Sequence, residues 1–287
     1  MFGLQIGAPL ICSLVAAGLY AAGIRRGLRP VGGASPEARR MRQRRALTFA
    51  AALLVLVVAL ASPLDDAADE LFWAHMSQHM LLMMVAAPLL VLAAPWMALW
   101  RPFPLGARRG VAGFTTGSPW FAPFRWLARP LGACLAFNIV LWAWHLPALY
   151  DLTLSNQAVH DFEHFTMLAA GVLLWAQLID SPPLHARLDV LGRGLVAFVC
   201  IVSSWVLAVV LAMWPSPLYD YAHLASRPGG ISALTDQQLA AGIMWGPGAV
   251  PLSVIVFLFI YQFLDDAERP RRRESGSVTR LAQEKGA

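Results

Sequence analysis

Runs of 17 or more mostly apolar residues recur along this chain, near 3–24, 46–62, 74–97, 131–148, 157–179, 194–214 and 238–263. At 1.5 Å per residue each is long enough to cross a hydrocarbon core about 30 Å thick. Inside that core every backbone N–H and C=O must be satisfied internally, which for such runs means helices. The expected fold is therefore all-α: a polytopic membrane helix bundle of about seven transmembrane helices. Composition agrees, since 58% of the 287 residues are hydrophobic and 14% are charged, with a mean hydropathy of +0.57. Those values set aside an ordinary water-soluble domain. Pro88 within the third run and the shortness of the fourth make their ends the least sharply drawn.

The basic balance, a formal net charge of +5, reads as topology and not as a nucleic-acid surface, because the arginines are sorted by loop. Eight lie between Arg25 and Arg45 and five between Arg101 and Arg129. Arg187 and Arg193 share the fifth connection, and Arg269, Arg271, Arg272, Arg273, Arg280 and Lys285 follow the last run. Every basic residue but Arg227 thus falls in alternate connections, and the positive-inside rule makes those cytoplasmic. The N-terminus is then outside and the C-terminus cytoplasmic. The first run has no basic stretch before it and arginines after it, so it reads as a retained span and not as a cleaved signal. Residues 1–267 form the seven-helix domain, and 268–287 read as a charged cytoplasmic tail, expected to be disordered, whose basic cluster suits anionic membrane lipid. Cys12, Cys134 and Cys200 lie inside spans without CxxC spacing and read as core residues.

Three outward connections share a Pro/Leu/acid pattern: Ser62-Pro63-Leu64-Asp65, Leu146-Pro147-Ala148-Leu149-Tyr150-Asp151 and Ser216-Pro217-Leu218-Tyr219-Asp220. They constitute a weak internal repeat, although the common needs of membrane exits account for it equally well.

The chemistry lies in the histidines. The third and fifth helices both open on H-x-x-[QE]-H, as His75-Met76-Ser77-Gln78-His79 and His160-Asp161-Phe162-Glu163-His164. Spacing of i and i+4 places two imidazoles on one helical face, half of a metal site each. His145 closes the fourth helix at the same depth, which brings five histidines, His75, His79, His145, His160 and His164, into one leaflet. An ionisable side chain there must face the bundle interior and find a partner, either a metal ion or a polar network. Imidazole suits zinc, copper, iron and nickel, and Met76, Met80 and Met83 on one stripe tilt the choice toward copper, against the plain alternative that methionine fills cores. Glu163 is placed to accept an imidazole N–H. Asp236, more simply a helix cap, together with Met244 and His223 of the third outer loop, completes a second tier. Gly242, Gly246 and Gly248 read as close-packing positions, and Pro247 and Pro251 as kinks.

Met76-Ser77-Gln78-His79-Met80-Leu81-Leu82 with Ala87-Pro88-Leu89-Leu90-Val91-Leu92, Trp144-His145-Leu146-Pro147, His160-Asp161-Phe162-Glu163-His164, and Asp236-Gln237-Gln238 with Met244-Trp245 resemble the CtaG family of cytochrome c oxidase assembly factors, the multi-span type found with caa-type oxidases. The resemblance implies a multi-pass protein of the bacterial plasma membrane, without enzymatic activity of its own. It would mature a haem-copper oxidase by supplying copper, with oxidase subunits as partners. Two other classes stay open on the residues alone: a membrane haem or di-iron oxidoreductase, since HxxxH pairs also serve those groups, and a metal transporter, for which Asn138, Ser203 and Ser204 would continue a path. Haem as a ligand is likewise left open.

Overall fold

The computed structural model of the protein describes residues 7–27, 35–182, 186–220 and 230–285. They form helices and turns, with no β-strand among them. In chain order the helices are α1 (Ala8–Gly27), α2 (Pro36–Leu60), α3 (Pro63–Ala68), α4 (Phe72–Met80), α5 (Ala87–Ala93), α6 (Trp96–Trp100) and α7 (Leu105–Gly117). Then come α8 (Ala122–Leu127), α9 (Pro130–Trp144), α10 (Pro147–Ser155), α11 (Gln157–Leu178), α12 (Val190–Met213), α13 (Ala233–Trp245) and α14 (Val250–Lys285). The charged stretch 268–285 forms the last turns of α14.

Within the described residues each of the seven apolar runs is largely helical. Among the described residues five helical stretches are long and apolar enough to cross a membrane: α1, α2, α4 through α5, α12, and Ala233–Asp266 across α13 and α14. A sixth counts if Pro119–Leu127 and α9, bent by 79° to one another, form one span. The bend matters because the 15 residues of α9 reach only about 22 Å alone. The 22-residue α11 has the length, but Asp161, Glu163, His160 and His164 in its first turns keep its hydropathy below that of the others. The bundle core lies where α4 packs on α13, α9 on α11, and α12 on α13 and α14. The connection around 98–130 is largely helical: α7, α8 and the turn Pro119–Phe121 between them expose Phe114, Trp120 and Phe124 beside Arg108, Arg109 and Arg125, a mixed surface that suits a membrane interface.

The third span is not one regular helix. Between α4 and α5, Leu81–Ala86 is π-helical, and the Ala87 N–H reaches back to the Leu82 carbonyl. In that register the next carbonyl, Met83 O, would be served by the N–H of residue 88, which is proline and has none. The indole of Trp175 on α11 fills the gap, donating Nε1–H to Met83 O at 2.8 Å. Gly171, one turn earlier, makes the approach feasible. A Cβ there would sit 3.0 Å from the Ala87 methyl and 3.2 Å from Met83 Cα.

The small residues expected to pack closely divide. Gly248, in the break between α13 and α14, does permit close packing, since a Cβ would lie 2.4 Å from Met80 Sδ and 2.8 Å from the Met244 carbonyl. Gly242 does not: a Cβ there meets nothing within 4 Å, because it faces away from neighbouring helices. Of the cysteines, Cys200 is buried and Cys134 half-buried, but Cys12 is exposed on the outer face of α1, so it is not a core residue.

Trp175→Phe keeps the ring but strands Met83 O. It should lower the unfolding free energy by roughly 1–3 kcal/mol, read as a reduced thermal midpoint in detergent with the helical content unchanged.

Candidate metal centre

Three helix ends meet to build the site: the N-terminal turns of α4 and α11 and the C-terminus of α9. Each is fixed by local chemistry. The Asn156 side chain caps α11, its Oδ1 accepting from Ala158 N at 3.0 Å and Val159 N at 3.3 Å. That start sets His160, Glu163 and His164 on the inner face. The residue before α4, Leu71, has no capping side chain. Asp236 of α13 caps it instead, its two carboxylate oxygens accepting from Phe72 N and Trp73 N at 2.9 Å each, across 164 residues of sequence. Further along α4, Gln78 Nε2 donates to Ala59 O and to Asp65 Oδ1, both at 2.7 Å, which pins the histidine-bearing face to α2 and α3. Burial raises the Asp65 carboxyl above the usual range, opposed by the Gln78 hydrogen bond.

Within this frame His75, His79, His145, His160, His164 and Glu163 are all buried. Ring centroids of His75 lie 4.4 Å from His79, 5.1 Å from His160 and 5.4 Å from His164. His79 is 5.4 Å from His164 and 6.3 Å from His145. The Glu163 carboxylate, wholly buried, straddles the two α4 rings, with Oε2 3.3 Å from His75 Nε2 and Oε1 3.4 Å from His79 Nε2. These contacts have ion-pair distance without hydrogen-bond alignment. Both Glu163 oxygens, His75 Nε2, both His79 nitrogens and His164 Nε2 therefore remain buried without hydrogen-bond partners. Leaving so many polar atoms unpaired in an apolar interior is costly, and a cation among them would satisfy several at once. One donor atom each from His75, His160, Glu163 and His164 lies within 4.8 Å of every other. Three imidazoles and a carboxylate at that spacing suit a divalent or monovalent transition metal.

Over residues 18–266 the sequence matches the model of the cytochrome c oxidase caa3 assembly factor family (Caa3_CtaG). The chain belongs to that family. No curated protein and no solved structure matches it. Membership gives the protein an assembly role, which points to interaction with cytochrome c oxidase and away from catalysis.

The remaining sequence-derived candidates of this assembly factor are dispersed. Met76 is buried and touches His145, its Sδ 3.3 Å from His145 Nε2. Met80 lies against Gly248 at the α13–α14 break, and Met244 belongs to the same apolar core. Asp236 lies outside the four-residue cluster and acts as the α4 cap. His223 lies outside the described residues.

Two tyrosines outside the sequence-derived candidates, Tyr150 and Tyr219, also lie at the site. The repeated Pro/Leu/Tyr/Asp turns pack on each other: the rings of Tyr150 and Tyr219 are 4.3 Å apart, both meet Phe72, and Asp220 N donates to Asp151 Oδ1 at 3.0 Å. Tyr150 lies 5.2 Å from the His75 ring. The repeat is thus an aromatic cover over the histidines, and only its recurrence in the sequence signalled it.

Two outcomes follow from the supports. Asp236→Ala uncovers one buried and one half-buried N–H group and should lower stability by about 2 kcal/mol, as a loss of thermal midpoint. For Asp65, the folded carboxyl binds its proton more tightly than the unfolded one, so the charge costs stability once the pH exceeds the unfolded value. Asp65→Asn should then raise the thermal midpoint at pH 7 and leave it unchanged near pH 3, which a pH series of melts would show.

Proposed function

We propose that this assembly factor binds copper at the cluster of His75, His160, His164 and Glu163, with His79 beside it, and delivers the ion to the oxidase it helps assemble. Copper here is cargo. The observation that carries the reading is the set of buried donors left without hydrogen-bond partners and gathered within 4.8 Å. Three features support cargo over a permanent structural ion. The site sits at helix ends, and among the described residues aromatic side chains on two connecting turns lie against it. The family's task concerns an enzyme whose own centres contain copper. Methionine sulfur stands at the edge of the cluster, which favours copper over zinc.

The arginine distribution supports a reading in which this end of the bundle faces the outer side of a bacterial plasma membrane, where copper would arrive without crossing the lipid. In this scheme α4 and α11 present their N-termini outward, and the oxidase subunit receives the ion laterally within the membrane or at its surface.

Metal analysis of the purified protein after copper loading tests this. The wild type should retain copper, and a His160→Ala, His164→Ala double variant should hold it roughly 10–100-fold more weakly. Cells carrying only that variant should make oxidase deficient in copper. Equal copper affinity in the two proteins would refute the site.

A further inference from the structure

His145 ends α9, and the end of a helix leaves carbonyls without partners. Its own ring supplies one: Nδ1 lies 2.7 Å from the Leu141 carbonyl, four residues back. A carbonyl oxygen only accepts, so Nδ1 carries the proton and donates it. In the neutral ring Nε2 is then unprotonated, with its lone pair pointing outward from α9. What it meets is Met76 Sδ of α4, at 3.3 Å. A thioether has no proton either. Two Lewis bases, both buried, face each other with nothing between them. A second proton on the ring would resolve the conflict but would bury a cation in an apolar bundle, while the nearest carboxylate, Glu163, is held against His75 and His79.

From this geometry we infer that His145 Nε2 and Met76 Sδ form a second metal position, distinct from the His75/His160/Glu163/His164 cluster and selective for a soft monovalent cation, Cu(I). Metal–nitrogen and metal–sulfur bonds of about 2.0 and 2.3 Å would span a 3.3 Å separation at an angle of about 100° at the metal, close to tetrahedral. The ligand types fit as well, since thioether and imidazole together favour Cu(I) over Zn(II). Neither donor has a proton to lose, so binding is a plain ligand addition with no redox step. His79, between the two positions by its ring distances to His145 and His164 and with both nitrogens unpartnered, is the group through which an ion would pass from one to the other. Its place as the second station of a transfer rests on the copper reading above; the donor pair itself does not.

The Tyr219 hydroxyl donates to the His145 carbonyl at 3.0 Å, so the outer turn that covers the histidines also holds this ligand in place. The arrangement couples the cover to the soft site.

X-ray absorption at the copper edge, on the full chain loaded with Cu(I) in detergent under reducing conditions, tests the inference. The wild type should show a sulfur scatterer at about 2.3 Å. Met76→Leu, which keeps the volume, should lose it and weaken Cu(I) binding roughly 10–100-fold, while Met80→Leu retains it. The His160→Ala, His164→Ala variant should keep the sulfur-bound ion, which separates this site from the cluster: if that variant loses no copper at all, the cluster reading fails and this one stands. A wild type with nitrogen and oxygen scatterers only, or a sulfur signal that persists in Met76→Leu or disappears with the double histidine variant, overturns the inference. Selenium-edge spectra of selenomethionine-labelled wild type need no variant, and absence of a copper neighbour to selenium there overturns it equally.

Discussion

A hydrocarbon interior supplies no water to a stray polar group, so each one carried into the bundle must be met by another part of the protein. The end of α4 depends on this rule. Its first two N–H groups, one buried and one half-buried and both without a local cap, are closed by the Asp236 carboxylate of α13. Gln78, between the two α4 histidines, is tied to the α2 carbonyl of Ala59 and to Asp65. With both ends of the motif anchored to other helices, the rings of His75 and His79 are aimed at α11 before any ligand arrives. That is preorganisation of a site by its supports.

The same rule accounts for the irregular features. The π-helical stretch after His79 leaves Met83 O unserved because Pro88 has no N–H, and Trp175 answers it. The terminating turn of α9 leaves Leu141 O unserved, and His145 answers it with Nδ1. In each case a backbone orphan selects a particular side-chain atom. The second case has chemical consequences, because using one ring nitrogen on the backbone leaves the other as a lone pair inside the protein. Apart from Gln78 Oε1 and Asn138 Oδ1, the buried side-chain atoms left unpaired among the described residues belong to Glu163, His75, His79 and His164. They are concentrated at one place, where a cation would complete them.

The aromatic cover links the site to the outer turns. Tyr150 and Tyr219 come from equivalent positions of two turns and pack together over Phe72, so the first residue of α4 and both turns form one unit. For the ion binding proposed above, such a cover would exclude water and open to a partner, since a stack of two short turns is more easily displaced than a transmembrane helix.

Much of this was legible in the sequence because its signals are local and periodic. Apolar runs of membrane-spanning length fix helices, and HxxxH spacing fixes two imidazoles on one face irrespective of what lies opposite. The family likeness, which covers most of the chain, was readable from the same motifs. What needed the tertiary structure were the matters decided between helices distant in sequence. Asp236 looked like the cap of its own helix and serves α4, because only packing brings the α13 N-terminus beside Phe72. Glu163 lies between two rings of another helix, Gly242 faces open space while Gly248 touches Met80, and His145 meets Met76 across 69 residues. Helical period tells which residues share a face. Which face meets which is settled by how whole helices fit, and that depends on volumes and unsatisfied groups summed over the bundle.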